Sequence, residues 1–99
     1  MKYRSLESFR NDFRRLPVEH QQMFMRMLRE FFLPAIAAGS FGGVPPWPKR
    51  LRIHRLSNSE IYSLTWNFAS PDRRATFHLD KTDDGAPLLV WHRIGDKNP

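Results

Sequence analysis

Glu60–Phe68 reads EIYSLTWNF and Arg73–Leu79 reads RRATFHL, and these two stretches decide the fold. In the first, Tyr62, Leu64, Trp66 and Phe68 alternate with Ile61, Ser63, Thr65 and Asn67. In the second, Ala75, Phe77 and Leu79 alternate with Arg74, Thr76 and His78. A period of two is the mark of a strand that buries one face. Between the two lie Ser70, Pro71 and Asp72, turn formers too few for a crossover, so the strands are expected to run antiparallel. Further out, Arg50–Leu56 sets Leu51 and Ile53 against Arg50, Arg52 and His54, and Leu88–Ile94 sets Val90 against Leu89, Trp91 and Arg93. The connections Ser57–Ser59 and Thr82–Pro87, the latter with Asp84-Gly85, are short. The expectation is a meander of about four antiparallel strands, with Met1–Arg4 as a possible extra edge strand.

The residues before this meander carry a different period. Leu6, Phe9, Phe13 and Leu16 fall on one face of a helix, with Ser5 as an expected N-cap. Pro17 suits the first position of a second helix, where its missing N–H costs nothing. That helix carries Phe24, Met27, Leu28, Phe31 and Ala35 on one side, and Pro34 is expected to kink or end it. Gly39–Pro48 is a Gly/Pro loop. A helical hairpin must then cover the apolar strand faces, which predicts a single two-layer α+β domain over residues 1–99. Its expected core includes Phe24, Leu28, Phe31, Leu64, Trp66 and Phe77.

Composition narrows the function classes. The chain has 99 residues with a formal net charge of +6, which favours a polyanionic partner. Cysteine is absent, so disulfides, thiolate zinc sites and a cysteine nucleophile are excluded. Met1–Arg15 lacks the apolar run of a targeting signal, and the uncharged stretch Phe31–Pro48 is broken by four prolines and three glycines. The expectation is a cytoplasmic protein without a membrane partner. Neither a P-loop nor a G-x-S-x-G motif is present.

The sheet face turned away from the helices is expected to be open and cationic, displaying Arg50, Arg52, His54, Ser63, Thr65, Asn67, Arg74, Thr76, His78 and Arg93, with the acids Asp72, Asp80, Asp83 and Asp84 confined to turns. Lys49, Arg50, Arg52 and Arg55 place four cations in seven residues. They suit a phosphate strip, although a charged edge strand protected from aggregation has the same look. His20, His54, His78 and His92 lack metal-ligand spacing, so no metal or other cofactor is expected. His54, within the basic strip, is the best proton-transfer candidate by its ordinary pKa. By parity Trp66 is core, whereas Trp91 lies on the open face and could stack on a base. Trp47, in Pro-Pro-Trp-Pro, pins the loop or meets a partner.

The segments Phe9–Leu16 (FRNDFRRL), Trp47–Leu56 (WPKRLRIHRL), Ile61–Phe68 (IYSLTWNF), Ala75–Leu79 (ATFHL) and Leu89–Asp96 (LVWHRIGD) together resemble the RelE/ParE superfamily of small toxins from bacterial type II toxin–antitoxin modules. The resemblance covers nearly the whole chain, in pattern more than in letters. Its RelE branch implies a metal-free, ribosome-dependent mRNA endonuclease, held silent by an acidic antitoxin. In that chemistry a ribose 2′-OH attacks the adjacent phosphate, and cations must meet the charge of the phosphorane. The family's basic positions on the first meander strand fall on Lys49, Arg50 and Arg52, a middle-strand cation on Arg74, and the terminal cluster on Arg93 and Lys97. The resulting candidates for catalysis are Arg52, Arg93, Arg74, His54 and Lys97, and for RNA binding Lys49, Arg50, Arg55 and Trp91. Many relatives carry a histidine or tyrosine after the Ile-Gly-Asp turn, where this chain has Lys97. That departure raises the odds of the ParE branch, which inhibits DNA gyrase without a nuclease centre. A basic nucleic-acid-binding module with no toxin role is the third reading. Binding to RNA or ribosomes is expected to weaken steeply with salt, and further on charge reversal at Arg50 and Arg52; a filter-binding titration across salt concentrations checks both.

Overall fold

Phe9 and Phe13 turn toward the core from a helix, α1 (Glu7–Arg15), and Leu16 is buried just after it, whereas Leu6, just before it, is exposed. The chain is described by a computed structural model over residues 2–40, 46–66 and 73–96; for Lys2, Trp66 and Asp96 the backbone alone is described. Expectations for Asn67, Phe68, the Ser70–Asp72 turn and Lys97 fall outside these residues, as does the side chain of Trp66.

Ser5 does not cap α1. Leu6 occupies the N-cap position without a side-chain bond, because Ser5 is drawn into a strand, β1 (Lys2–Ser5). The helix ends where Pro17 begins the next arm, and the Gln21 amide closes that corner by donating to the carbonyls of Phe13 (2.9 Å) and Leu16 (3.2 Å). The second arm comprises α2 (Val18–Met27), a π turn (Leu28–Phe32) and α3 (Leu33–Ala38), stopped by Gly39 at φ 102°. Pro34 therefore does not end the arm near Phe32. A proline ring would strike the carbonyl four residues back in a tight α turn, and the wider π turn before it relieves that conflict. The inserted residue also rotates the apolar stripe. Phe32, at 0% exposure, takes the buried place expected of Phe31, which is half-buried beneath Arg50.

The sheet has five strands in the order β1-β5-β4-β3-β2, with β2 (His54–Arg55), β3 (Tyr62–Trp66), β4 (Arg73–Lys81) and β5 (Pro87–Asp96). The meander pairs antiparallel as expected, but β1 adds to β5 in parallel, so the sheet is mixed. The turn between β4 and β5 is closed by Gly85 at φ 84°, whose N–H donates to Thr82. The expected strand Arg50–Leu56 shrinks to β2, because Lys49–Leu51 forms a 3-10 turn and Arg52 adopts φ 45°. Leu51 is fully buried, so the turn satisfies the same apolar position that the alternation suggested. Asp80 lies inside β4, not in a turn.

The core sits between the hairpin and one sheet face. Phe9, Phe24, Met27 and Phe32 meet Leu64, Ala75, Phe77, Leu89 and Trp91. Of the expected core residues, Phe24, Leu64 and Phe77 are buried, while Leu28 and Phe31 are partly buried at its margin. Trp47 stacks on Phe32 at 5.6 Å with rings 7° from parallel, which pins the loop before β2. Phe32→Ala is expected to cost about 3–5 kcal/mol, and Phe31→Ala clearly less, by denaturant titration.

Candidate nucleic-acid interface

Strand register places the polar residues of the sheet's second face. His54 pairs with Ser63, Ser63 with Thr76, and Thr76 with Arg93, which makes one row across four strands. The next row runs Thr65, Arg74, Gly95, and the row on the other side runs His78, Val90, Arg4. Directly paired residues share a face, with Cβ atoms about 5 Å apart.

This face is less open than its composition suggests. Ser63 and Thr65 are 0% and 1% exposed, and Leu88 and Val90 are buried on the same side. Arg74, Thr76 and His78 are half-buried, and His54 is exposed. Ser63 Oγ and Arg74 Nε are both buried without a hydrogen-bond partner. An N–H of a guanidinium left without an acceptor carries a real penalty, which an anionic ligand oxygen can remove.

A bulge interrupts β5 at this place. Thr76 opposes Arg93 but Phe77 opposes Trp91, so His92 is the extra residue. Its ring meets that of His78 edge-on, with centroids 4.6 Å apart and planes at 86°. His78 Nδ1 and His92 Nε2 share a hydrogen bond. The other nitrogen of His78, Nε2, lies 4.0 Å from Asp80 Oδ2. Ser8 of α1 donates to the His92 carbonyl at 2.8 Å and holds the bulge against the helix. Burial, and secondarily the charge of His78, push the His92 imidazole below its ordinary pKa.

Arg93 is not a freely available phosphate clamp. Its Nε and Nη2 donate to the Asp12 carboxylate at 2.6 and 3.1 Å, and the Ile94 N–H adds a third bond at 3.3 Å. The Arg93 hydrogen bond is the main reason the Asp12 carboxyl sits below its ordinary pKa, against the opposing effect of burial. The same bond raises Arg93.

The remaining candidates scatter. Trp91 is 4% exposed and faces the helices, so it is not an open-face stacking residue. Arg50 lies 4.5 Å above the Phe31 ring, on the hairpin side rather than the open face. Lys49 and Arg52 are exposed at the 3-10 turn, and Arg55 points opposite to His54 along β2. Lys97 lies outside the described residues. The structure thus brings His54, Arg74 and Arg93 onto one face and adds the His78–His92 pair and Asp12, which sequence reasoning missed. One signal was available: Leu89, Trp91 and Ile94 are apolar at a spacing that changes from two to three, as a bulge requires.

A second feature lies on the opposite side. Between α1, α2 and the β1 edge runs an apolar groove of about 510 Å³. Tyr3, Phe13, Met25 and Leu33 lie along it, and its charged lining residues are Arg10, Arg14 and Arg29, without a carboxylate. Among the described residues, no group of three or more His, Asp or Glu side chains is placed to hold a metal ion, and no helix is long and apolar enough to cross a membrane. No protein-family model, curated protein or solved structure matches the chain.

The Asp12 pair carries a pH signature. A carboxyl depressed by folding contributes stability that is complete above its unfolded value, about 3.9, and is lost as pH falls through its lower folded value. Thermal melts from pH 6 downward are expected to show less acid sensitivity in Asp12→Asn than in the parent chain, starting from a lower stability near neutrality.

Proposed function

We propose that the chain is the toxin of a bacterial type II toxin–antitoxin module of the RelE/ParE kind, acting in the cytoplasm as a ribosome-dependent mRNA endonuclease. The observation that carries this reading is Arg74: a half-buried cation on the second sheet face, with Nε lacking an acceptor, in register with Thr65 and Gly95 and one row from Ser63 and Thr76. Such a face offers a phosphate a fixed donor whose charge persists at any working pH. In-line attack of a 2′-OH builds negative charge on the phosphorane, and a preorganised guanidinium stabilises it there without reorganising. The resemblance of the sequence segments to that superfamily supplies the substrate; the order of edge strand, helical hairpin and meander is compatible with it. His54, at the open end of the row that holds Ser63 and Thr76, and the exposed Lys49 and Arg52 at the turn before it, extend the positive surface along which a nucleic acid would lie.

The silencing partner in this reading is an acidic antitoxin. The apolar groove beside β1, with its three arginines, suits an amphipathic segment that combines apolar and acidic residues.

One observation favours the gyrase-inhibiting branch instead. Arg93, one of the cations expected to meet the phosphorane, is held by Asp12. Mapping mRNA ends on translating ribosomes separates the two readings. Cleavage by the parent chain, reduced about 30- to 1,000-fold in Arg74→Ala, is the expected result, equivalent to about 2–4 kcal/mol for one electrostatic group. Intact mRNA together with accumulated gyrase-bound DNA breaks would move the assignment to the gyrase branch.

A further inference from the structure

The His78–His92 contact is a built arrangement, because it exists only through the β5 bulge that places one extra residue opposite β4. Without the bulge, His78 would face Val90 alone. We propose that His78 and His92 form the proton-transfer pair for RNA cleavage on this face, one imidazole acting as base and the other as acid. This assignment rests on the endonuclease reading and deepens it.

The proton inventory is the argument. With both rings neutral, a bond from His78 Nδ1–H to His92 Nε2 leaves a lone pair on His78 Nε2 and an N–H on His92 Nδ1. The pair therefore offers one base and one acid at its outer nitrogens, and cleavage by a 2′-OH needs both. His78 Nε2 takes the 2′-OH proton while the 2′-oxygen bonds to phosphorus, and the Nδ1 proton passes to His92 Nε2. The bond from phosphorus to the 5′-oxygen breaks, and His92 Nδ1–H protonates that oxygen. The products are a 2′,3′-cyclic phosphate and a 5′-hydroxyl, with no water or other reactant consumed. Each ring ends as its other tautomer, and proton exchange with water restores the start.

The surroundings suit this use. Burial of His92 favours its neutral form, as the relay requires, and Asp80 Oδ2 lies 4.0 Å from His78 Nε2. The other charged neighbours are Arg4 on β1, in register with Val90 beside the pair, and Arg93, whose charge is offset by Asp12 of α1. Arg74, the phosphate donor, precedes His78 by four residues on the same face of β4, with Thr76 and the β5 bulge that carries His92 between them.

The test is mRNA cleavage on translating ribosomes across pH 5–9, with the chemical nature of the new ends determined, for the parent chain, His78→Gln, His92→Gln and His92→Ala. The expected result is activity that falls as pH drops, with cyclic phosphate ends for the parent chain. Each Gln variant should lose about 100- to 10,000-fold, and added imidazole should restore part of the activity of His92→Ala. Parent cleavage with both Gln variants within about threefold overturns the pair and leaves the endonuclease reading standing. No cleavage by the parent chain overturns both. Imidazole NMR titration of the parent chain is an independent check that needs no variant to fold. A His92 imidazole that is neutral at pH 7 supports the relay, and one that is charged there overturns it.

Discussion

Trp91 touches nearly everything that holds the domain together. Its ring centroid lies 5.7 Å from Phe9, 5.5 Å from Phe24, 5.4 Å from Phe32 and 5.1 Å from Phe77, which joins α1, α2, the π turn and β4 to β5. Its carbonyl accepts from the Leu6 N–H at 2.9 Å, and its backbone is in register with Ser5, so the junction between β1 and α1 is fixed by the same residue. Large aromatic side chains bury much area with few rotatable bonds, so a single tryptophan in a small core supplies a disproportionate share of the cohesion.

The polar face inherits its geometry from this core. Trp91 and Ile94 both belong to the buried cluster although they stand three residues apart. An unbroken strand cannot turn both toward the helices, since successive side chains alternate. The bulge resolves the conflict, and its extra residue is His92. Packing on one side of the sheet thus decides which imidazole stands beside His78 on the other. Asp12 acts in the same sense. From the helical layer it reaches around the β5 edge to Arg93 and to the Ile94 N–H, and so locks the strand just beyond the bulge.

The parts legible in the sequence were those governed by local period. The alternation in β3 and β4, the stripe of α1 and the hairpin corner at Pro17 all follow from residues within a few positions of one another. The rest depended on competition between distant parts. Leu88, Leu89, Val90 and Trp91 are apolar at both parities and all buried, so alternation alone could not say which of them faces the helices. The π turn exchanged Phe31 for Phe32 because one inserted residue shifts the helical phase. Leu51 found its buried place from a 3-10 turn rather than a strand. The Asp12–Arg93 pair and the His78–His92 contact join residues separated in sequence by 81 and 14 positions, and no local pattern announces either.

The parallel pairing of β1 with β5 brings Lys2–Ser5 against Leu88–Trp91. Almost the full length of chain must be closed into a loop before this contact forms, which is an entropic cost not returned until late in folding. During synthesis the first strand is made early and has no partner until β5 has left the exit tunnel. The aromatic seat at Trp91 stays incomplete for the same interval, so α1 and α2 wait with their apolar faces uncovered. Neither the second sheet face nor the histidine pair can form until β5 is free to pair, so both arise last, with the closing of the sheet.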